Sequence, residues 1–147
     1  MSKNRLTIST KPLEALAEDI DAFGSTYLKE AIDAGLMAVG NEIEAAAHRE
    51  MKKHRRTGKT ESTIVSPRVD WSGGQYAEMD AGFRIRDGGL ASIFLMYGTQ
   101  AHPPHRGLPQ DIKLYNVFYG TATRRKHTQM IKAQLQIALN RLKRSHK

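Results

Sequence analysis

The sequence predicts an α+β fold in a single domain over residues 1–147. Apolar residues recur at three- and four-residue spacing in the first and last thirds of the chain, as in helices, whereas residues 76–86 alternate between apolar and polar, as in an antiparallel strand. No internal repeat or long linker suggests a second domain. We therefore expect N-terminal helices, an antiparallel sheet of about three or more strands, and a C-terminal helix packed on the sheet.

The first third of the chain is predicted to be helical. Thr10 is suited to cap a short helix over 12–23 that has a proline in its first turn and ends at Gly24. Ser25 is suited to cap a longer helix. An apolar stripe runs along this longer helix at helical spacing and consists of Leu28, Ile32, Leu36, Val39, Ile43 and Ala46 or Ala47.

The longer helix contains two glycines and leads into a basic segment. Gly35 and Gly40 each lower helix propensity by about 1 kcal/mol, so we expect them to allow close packing against a neighbour. Residues 48–59 hold six Lys or Arg side chains against one Glu. These cations are expected to occupy the last turns of the helix, where they interact favourably with its dipole.

The middle of the chain is predicted to form the sheet. Residues 61–69 are a weaker strand, followed by a turn at 71–74, and the turn-forming residues 87–89 should join 76–86 to the apolar run 90–97 in a hairpin. The run 90–97 is expected to be the more buried strand. The alternating pattern places one set of residues on the inner face: Ala77, Met79, Ala81, Phe83 and Ile85.

Two helices are predicted at the C-terminal end. Leu114, Val117 and Phe118 are spaced for a short helix that Gly120 ends, and a final helix covers 123–143. The main apolar stripe of the final helix comprises Ile131, Leu135, Ala138, Leu139 and Leu142. A second apolar line on another side of this helix predicts a subunit interface, or is incidental surface, and comprises Met130, Ala133 and Ile137.

Composition narrows the classes of function. The chain has no cysteine, which excludes disulfides, zinc–thiolate sites and thiol catalysis. No apolar run approaches the ~20 residues that cross a bilayer, and the first residues show no secretory signal. Residues 112–147 hold nine basic and no acidic side chains, whereas 1–47 are acidic. This asymmetry predicts an acidic partner, either nucleic acid or a protein surface, or a solvated basic tail.

The histidines are the candidates for catalysis or metal binding. The two prolines between His102 and His105 exclude a helix that would let both bind one metal, and no third ligand is near in sequence, so we predict neither metal nor cofactor. The prolines instead predict a rigid, extended loop that presents His102, His105 and Arg106 to a partner. A nuclease-like site would use His48, His54, His102, His105 or His127, but no residue order singles out an acid–base pair.

Two segments carry a family pattern. RRTGKTESTI, residues 55–64, and YGTQAHPPHR, residues 97–106, together resemble the head-tail joining or tail-completion (neck) proteins of long-tailed double-stranded DNA bacteriophages. The positions that match the first motif are Arg56, Thr57, Gly58 and Ile64. Those that match the second are Tyr97, Gly98, Thr99, His102, Pro103 and Arg106.

The resemblance implies a structural virion protein and not an enzyme. Such a protein assembles as a ring between the capsid connector and the tail, and is present in the host cytoplasm during assembly. It also implies that Thr57-Gly58 ends the helix and that 97–103 aims the following loop at a neighbouring protein. The alternatives are a basic module that binds nucleic acid non-specifically and, less favoured, a small RNase-like toxin. Candidate contacts to phosphate or an acidic partner are Lys52, Lys53, Arg55, Arg124, Arg125 and Lys126.

Overall fold

Residues 26–72 and 76–145 are described by a computed structural model, and they combine helices with a small sheet. The helices are α1 (Thr26–Met51), α2 (Ala91–Tyr97), α3 (Ile112–Tyr119) and α4 (Thr121–Ser145); the strands are β1 (Val69–Ser72) and β2 (Tyr76–Met79). Short 3-10 turns cover Lys52–His54, Glu61–Thr63 and Ile85–Asp87. The mixed helix-and-sheet class is confirmed. The predicted helix over 12–23, with its cap, lies outside the described residues.

Helix α4 packs along α1, and the prediction that it packs on the sheet is wrong. The two helices approach closely at Gly35, where an added Cβ would lie 3.2 Å from the Cα of Ile131. Each helix has about 25 residues and is therefore about 37 Å long, whereas a four-residue strand is about 13 Å long. Among the elements that the structure describes, α1 alone is long enough to cover the apolar stripe of α4.

The core lies where the C-terminal half of α1 meets α2 and α3. Leu114 of α3 is fully buried, and so is Ala47 of α1. The predicted stripe on α1 is confirmed, since its members in the second half of the helix are buried and Leu28, Ile32 and Leu36 are half-buried. The buried cluster consists of Val39, Ile43, Ala47, Met51, Ile64, Met96, Leu114 and Val117.

The hairpin of β1 and β2 lies against α1. The strands are antiparallel, with Trp71 opposite Ala77. The Trp71 indole Nε1 donates a hydrogen bond of 2.7 Å to Oδ1 of Asp33 on α1. At Gly40 a Cβ would overlap the side chains of Pro67 and Met79, so this glycine lets the hairpin approach the helix. Both glycines therefore allow close contact with a neighbour, as predicted.

The sheet is smaller than predicted, because the alternation in 76–86 is interrupted. Strand β2 ends at Met79, Gly82 has a φ of 142°, and a 3-10 turn replaces the expected strand over Ile85–Asp87. Ala81 and Ile85 of the predicted inner face are exposed. One further antiparallel bridge joins Ile64 to Phe83, so the weak strand predicted over 61–69 pairs at a single position before β1.

Residues Ala91–Tyr97 of the apolar run form a helix, and the prediction of a buried strand over 90–97 is wrong. The Arg84 carbonyl accepts the Gly89 N–H at 3.0 Å, which turns the chain into α2 instead of a hairpin. A Cβ at Gly89 would lie 2.7 Å from that carbonyl oxygen. Because a short, almost continuously apolar run has neither a clear two-residue nor a clear 3.6-residue period, its sequence does not distinguish strand from helix.

The two C-terminal helices follow the prediction closely. Helix α3 covers Ile112–Tyr119, and Gly120 is the residue that ends it. Helix α4 begins two residues before the predicted start at 123 and ends two after 143. Within the described ranges, no helix is long and apolar enough to cross a membrane.

Candidate functional site

A groove of about 700 Å³ lies at the C-terminal end of α1 and combines an apolar wall with a basic rim. The segment that follows α1 forms one side, and α2 forms the other. Leu95 and Phe94 provide part of the apolar wall on the α2 side. The lining residues are Met51, Lys53, His54, Arg55, Arg56, Thr57, Gly58, Lys59, Thr60, Glu61, Ala91, Phe94, Leu95 and Leu108.

A buried carboxylate, Glu61, fixes one side of the rim. The Arg55 guanidinium donates two hydrogen bonds of 2.7 Å to the two carboxylate oxygens, and His48 Nδ1 lies 3.1 Å from Oε1. The hydrogen bonds from Arg55, followed by the contact with His48, lower the pKa of Glu61 to about 2. Glu61 therefore ties the end of α1 to the 3-10 turn that precedes the sheet.

A second carboxylate, Asp111, binds two of the lining residues, Lys53 and His54. Its Oδ2 lies 2.6 Å from His54 Nε2 and 2.9 Å from Lys53 Nζ, and its Oδ1 accepts the Leu114 N–H at 3.1 Å as the N-cap of α3. Burial raises the pKa of Asp111, but the hydrogen bonds from His54, the Leu114 N–H and Lys53 outweigh burial and lower that pKa to about 2. Asp111 thus joins the end of α1 to the start of α3.

The first family-motif segment lies on the outer edge of the groove. Gly58 has a φ of 75°, and the Thr57 hydroxyl accepts the Lys59 N–H at 3.3 Å, so the segment forms a tight turn. The helix has already ended at Met51, so the prediction that Thr57-Gly58 ends it is wrong. In the described part of the chain, exposed Arg56 has no ion pair, so its charge faces solvent beside the groove.

The second family-motif segment follows α2. Tyr97 is 56% exposed and packs edge-on against Tyr115, with ring centroids 5.6 Å apart. Gly98 has a φ of 73° and ends α2. Thr99 exchanges backbone hydrogen bonds of 2.8 and 3.1 Å with Leu108, which closes the loop and positions Leu108 in the groove. The first motif segment therefore lines the groove, whereas residues 97–106 do not line it and connect to it through the backbone pairing of Thr99 with Leu108.

The loop between Thr99 and Leu108 is exposed, but its tip is not extended as predicted. The His105 N–H donates to the His102 carbonyl at 2.6 Å, so Pro103 and Pro104 form a reversal between the two histidines. The side chains from His102 to Arg106 are all exposed. Across 26–72 and 76–145, no three His, Asp or Glu side chains are grouped so that they could bind a metal.

Helix α2 presents an apolar surface to solvent. Only Ser92 and Met96 of this helix are buried, while Phe94 is 47% exposed. Leu90 immediately precedes the helix and is also exposed. The exposed apolar side chains of this surface, which we call the α2 patch, are Leu90, Ile93, Phe94 and Tyr97.

The six predicted contacts to phosphate or an acidic partner divide into two sets. Lys53 and Arg55 are engaged by Asp111 and Glu61, and Lys126 Nζ lies 2.5 Å from Glu42 Oε1. The hydrogen bond from Lys126 is the main cause that lowers the pKa of Glu42. Three predicted contacts are exposed and have no ion pair with any described residue: Lys52, Arg124 and Arg125.

The predicted subunit-interface line on α4 is only partly available. Met130 packs against the core cluster, so it is not free for a partner. Ala133 is exposed, and Ile137 is 46% exposed. The line therefore presents two side chains where three were predicted.

No protein-family model, curated protein or solved structure matches this chain. The groove and the α2 patch consequently have to be interpreted from their own geometry and charge. Sequence reasoning found the basic rim but missed the two carboxylates that hold it. Asp111 lies 58 positions after its partner Lys53, so the sequence does not reveal this pair. The only sequence signal was that Glu61 and Asp111 are isolated acids within basic surroundings.

Proposed function

We propose that this chain is a structural protein of the phage virion that joins the tail to the capsid connector through protein contacts and ring-like self-association. The observation that carries the proposal is a groove that the first motif segment lines and whose apolar wall shares Phe94 with the exposed α2 patch. Contiguous exposed apolar side chains with a polar rim are typical of protein interaction sites. A protein surface that binds nucleic acid would instead be mainly cationic.

The ion pairs around the groove support a scaffolding role. Catalytic acids and bases need to exchange protons with a substrate. Glu61 and Asp111 are instead occupied by several donors each and connect separate segments of the backbone. This arrangement gives the groove a fixed shape, which favours docking of a partner over proton transfer.

Deletion of the coding gene from the phage or prophage that carries it tests the proposal. We expect DNA-filled heads and separate tails by electron microscopy, and intact virions again when the gene is supplied from a plasmid. A Phe94→Asp variant should fold but fail to restore virions, because Phe94 belongs to the α2 patch. Normal virions after deletion, or a gene that lies outside any phage genome, would contradict the proposal.

A second candidate function is non-specific binding to nucleic acid by the start of α4. Arg124, Arg125 and Lys132 line a shallow cleft with Thr121 and Thr128 on this helix. Cations and hydroxyl groups of this kind contact phosphate without reading sequence. Binding of duplex DNA that weakens steeply with salt and is lost on Arg124→Glu/Arg125→Glu would support this function.

A further inference from the structure

An occupant that complements the groove would bring both apolar side chains and negative charge. Its wall includes Phe94 and Leu108, which are 47% and 39% exposed. On the rim, Arg56 is exposed, and Lys59 runs along Gly88, where a Cβ would lie 2.7 Å from Lys59 Cε. Neither cation has an ion pair with another described residue. A partner with carboxylates beside an apolar stripe would complement this surface.

The chain contains a segment with these properties in residues 12–23. Its apolar residues recur at helical spacing, and the segment holds four carboxylates and no cation. The apolar set is Leu13, Leu16, Ala17, Ile20 and Phe23. The acidic set is Glu14, Glu18, Asp19 and Asp21. Its sequence therefore predicts an acidic amphipathic helix that matches the groove in both respects.

A helix formed by residues 12–23 is too short to reach the groove of its own chain. It would be about 18 Å long, and the link from residue 23 to Thr26 adds at most about 11 Å. Thr26 begins α1, whereas the groove lies beyond Met51 at the other end of the same helix, about 37 Å away. The helix of a second copy is under no such limit.

We infer that residues 12–23 of one copy bind in the basic-rimmed groove of the next copy. Because the segment and the groove are different surfaces, the contact is head-to-tail and leaves one segment and one groove free in any open chain of subunits. Closure of such a chain produces a ring. The inference deepens the proposed function and rests on its self-association.

Cysteine cross-linking tests the contact directly, since the chain has no natural cysteine. Two separately purified full-length variants, Leu16→Cys with an affinity tag and Phe94→Cys without one, are mixed and oxidised. Leu16→Cys mixed with Ile137→Cys is the matched control, because Ile137 is 46% exposed on α4 and Phe94 is 47% exposed. We expect the mixed disulfide with Phe94→Cys to form on the order of tenfold faster, as expected for raised local concentration in a docked pair.

A chain that carries both Leu16→Cys and Phe94→Cys separates the two possible sources of the segment. Docking between copies gives a ladder of disulfide-linked oligomers on a denaturing gel. Docking in the same chain, which requires the segment to be extended, gives a cross-linked monomer and overturns the inference. Equal cross-linking of Leu16→Cys to Ile137→Cys, or no mixed disulfide at all, also overturns it.

A charge exchange provides an independent measurement. A fluorescent peptide of residues 10–24 is titrated with the full chain, and its binding is followed by anisotropy. Arg56→Glu/Lys59→Glu in the chain should weaken binding about tenfold, and a peptide with Glu14→Lys and Glu18→Lys should restore it to that variant. Failure of the exchanged pair to bind would remove the charge argument. If gene deletion still separates heads from tails while both tests fail, the inference is wrong but the proposed function stands.

Discussion

The basic residues that follow α1 and those that begin α4 look alike in the sequence, yet the structure uses them differently. After α1, Lys53 and Arg55 are bound by carboxylates that are largely removed from solvent. At the start of α4, Arg124 and Arg125 are exposed and have no ion pair with any residue in the described ranges. Lys53 and Arg55 hold the fold together around a groove, whereas Arg124 and Arg125 are available to a partner.

The difference shows that a run of cations in the sequence does not indicate whether the side chains are paired within the fold or available to a partner. A buried carboxylate that accepts several hydrogen bonds contributes to stability because its charged form is preferred in the folded state. An exposed cation contributes little to folding, and its charge acts mainly on approach of a partner. The comparison predicts that changes at the two sites should separate stability from assembly.

The largest expected effect is at Asp111. Asp111→Ala removes the N-cap of α3 and leaves His54 and Lys53 without their partner, so we expect the free energy of unfolding to fall by about 2 to 3 kcal/mol. Asp111→Asn keeps an N-cap acceptor and should lose less. Urea denaturation of both variants measures the difference, and an unchanged midpoint in the alanine variant would contradict the role of Asp111.

Low pH should lower the free energy of unfolding through Glu61 and Asp111, the two carboxylates that bind cations after α1. The folded-state pKa values of Glu61 and Asp111 are both lowered to about 2, so the unfolded chain binds more protons below the ordinary values of 4.5 and 3.8. Their contributions are therefore complete above about pH 5 and are lost as the pH falls toward 2. For Asp111 alone this loss is about 2 kcal/mol.

His127 should add an earlier, weaker dependence on pH. Burial, followed by the neighbouring charge of Lys126, lowers the pKa of His127 below its ordinary value of 6.5. As the pH drops below 6.5, His127 of the unfolded chain is protonated before His127 of the folded chain, so the free energy of unfolding falls. Thermal unfolding at a series of pH values should show both steps, and Glu61→Gln should flatten only the more acidic one.

A smaller effect is expected at Lys126, which the sequence grouped with Arg124 and Arg125. Its pairing with Glu42 connects α4 to α1 at a partly exposed position. Lys126→Ala should therefore lower the free energy of unfolding by less than about 1 kcal/mol. A double-mutant cycle with Glu42→Ala measures the pair itself, and zero coupling would show that the contact does not contribute.

The smallest effect on folding is expected at Arg124 and Arg125. Arg124→Glu/Arg125→Glu should change the free energy of unfolding by no more than about 0.5 kcal/mol, because neither side chain has a described partner to lose. The same variant should impair assembly of virions in the complementation experiment. A variant that unfolds would show that these arginines are structural, and would remove the contrast with the groove side.

The parts of the fold that were predicted correctly share a local cause. The extents of α3 and α4 depend on helical spacing and on Gly120, which lies next to the residues that it affects. The errors over 76–97 have a non-local cause. The turn into α2 requires a hydrogen bond from the Gly89 N–H to the Arg84 carbonyl. Gly89 also packs against Thr63, which lies 26 positions earlier in the chain.

The candidate site was predictable only as a list of residues. The sequence identified the motif segments and the basic rim, but not that Leu108 and Phe94 would line one groove. Nor did it indicate that the apolar run 90–97 would leave Phe94 and Tyr97 exposed, since a run that is apolar at nearly every position does not show which side is buried.

By itself, the sequence determined the helices α1, α3 and α4, the absence of thiol chemistry and the uneven distribution of charge. Spacing, caps and composition are properties of neighbouring residues, and no distant contact is needed to establish them. Only the tertiary structure decided that α4 packs on α1, that Glu61 and Asp111 bind Arg55 and Lys53, and that the first motif segment lines a groove together with residues of α2. These features depend on contacts between residues far apart in the chain. Such contacts form because folding buries apolar side chains, and a carboxylate that is buried with them has to be paired with a cation or a hydrogen-bond donor.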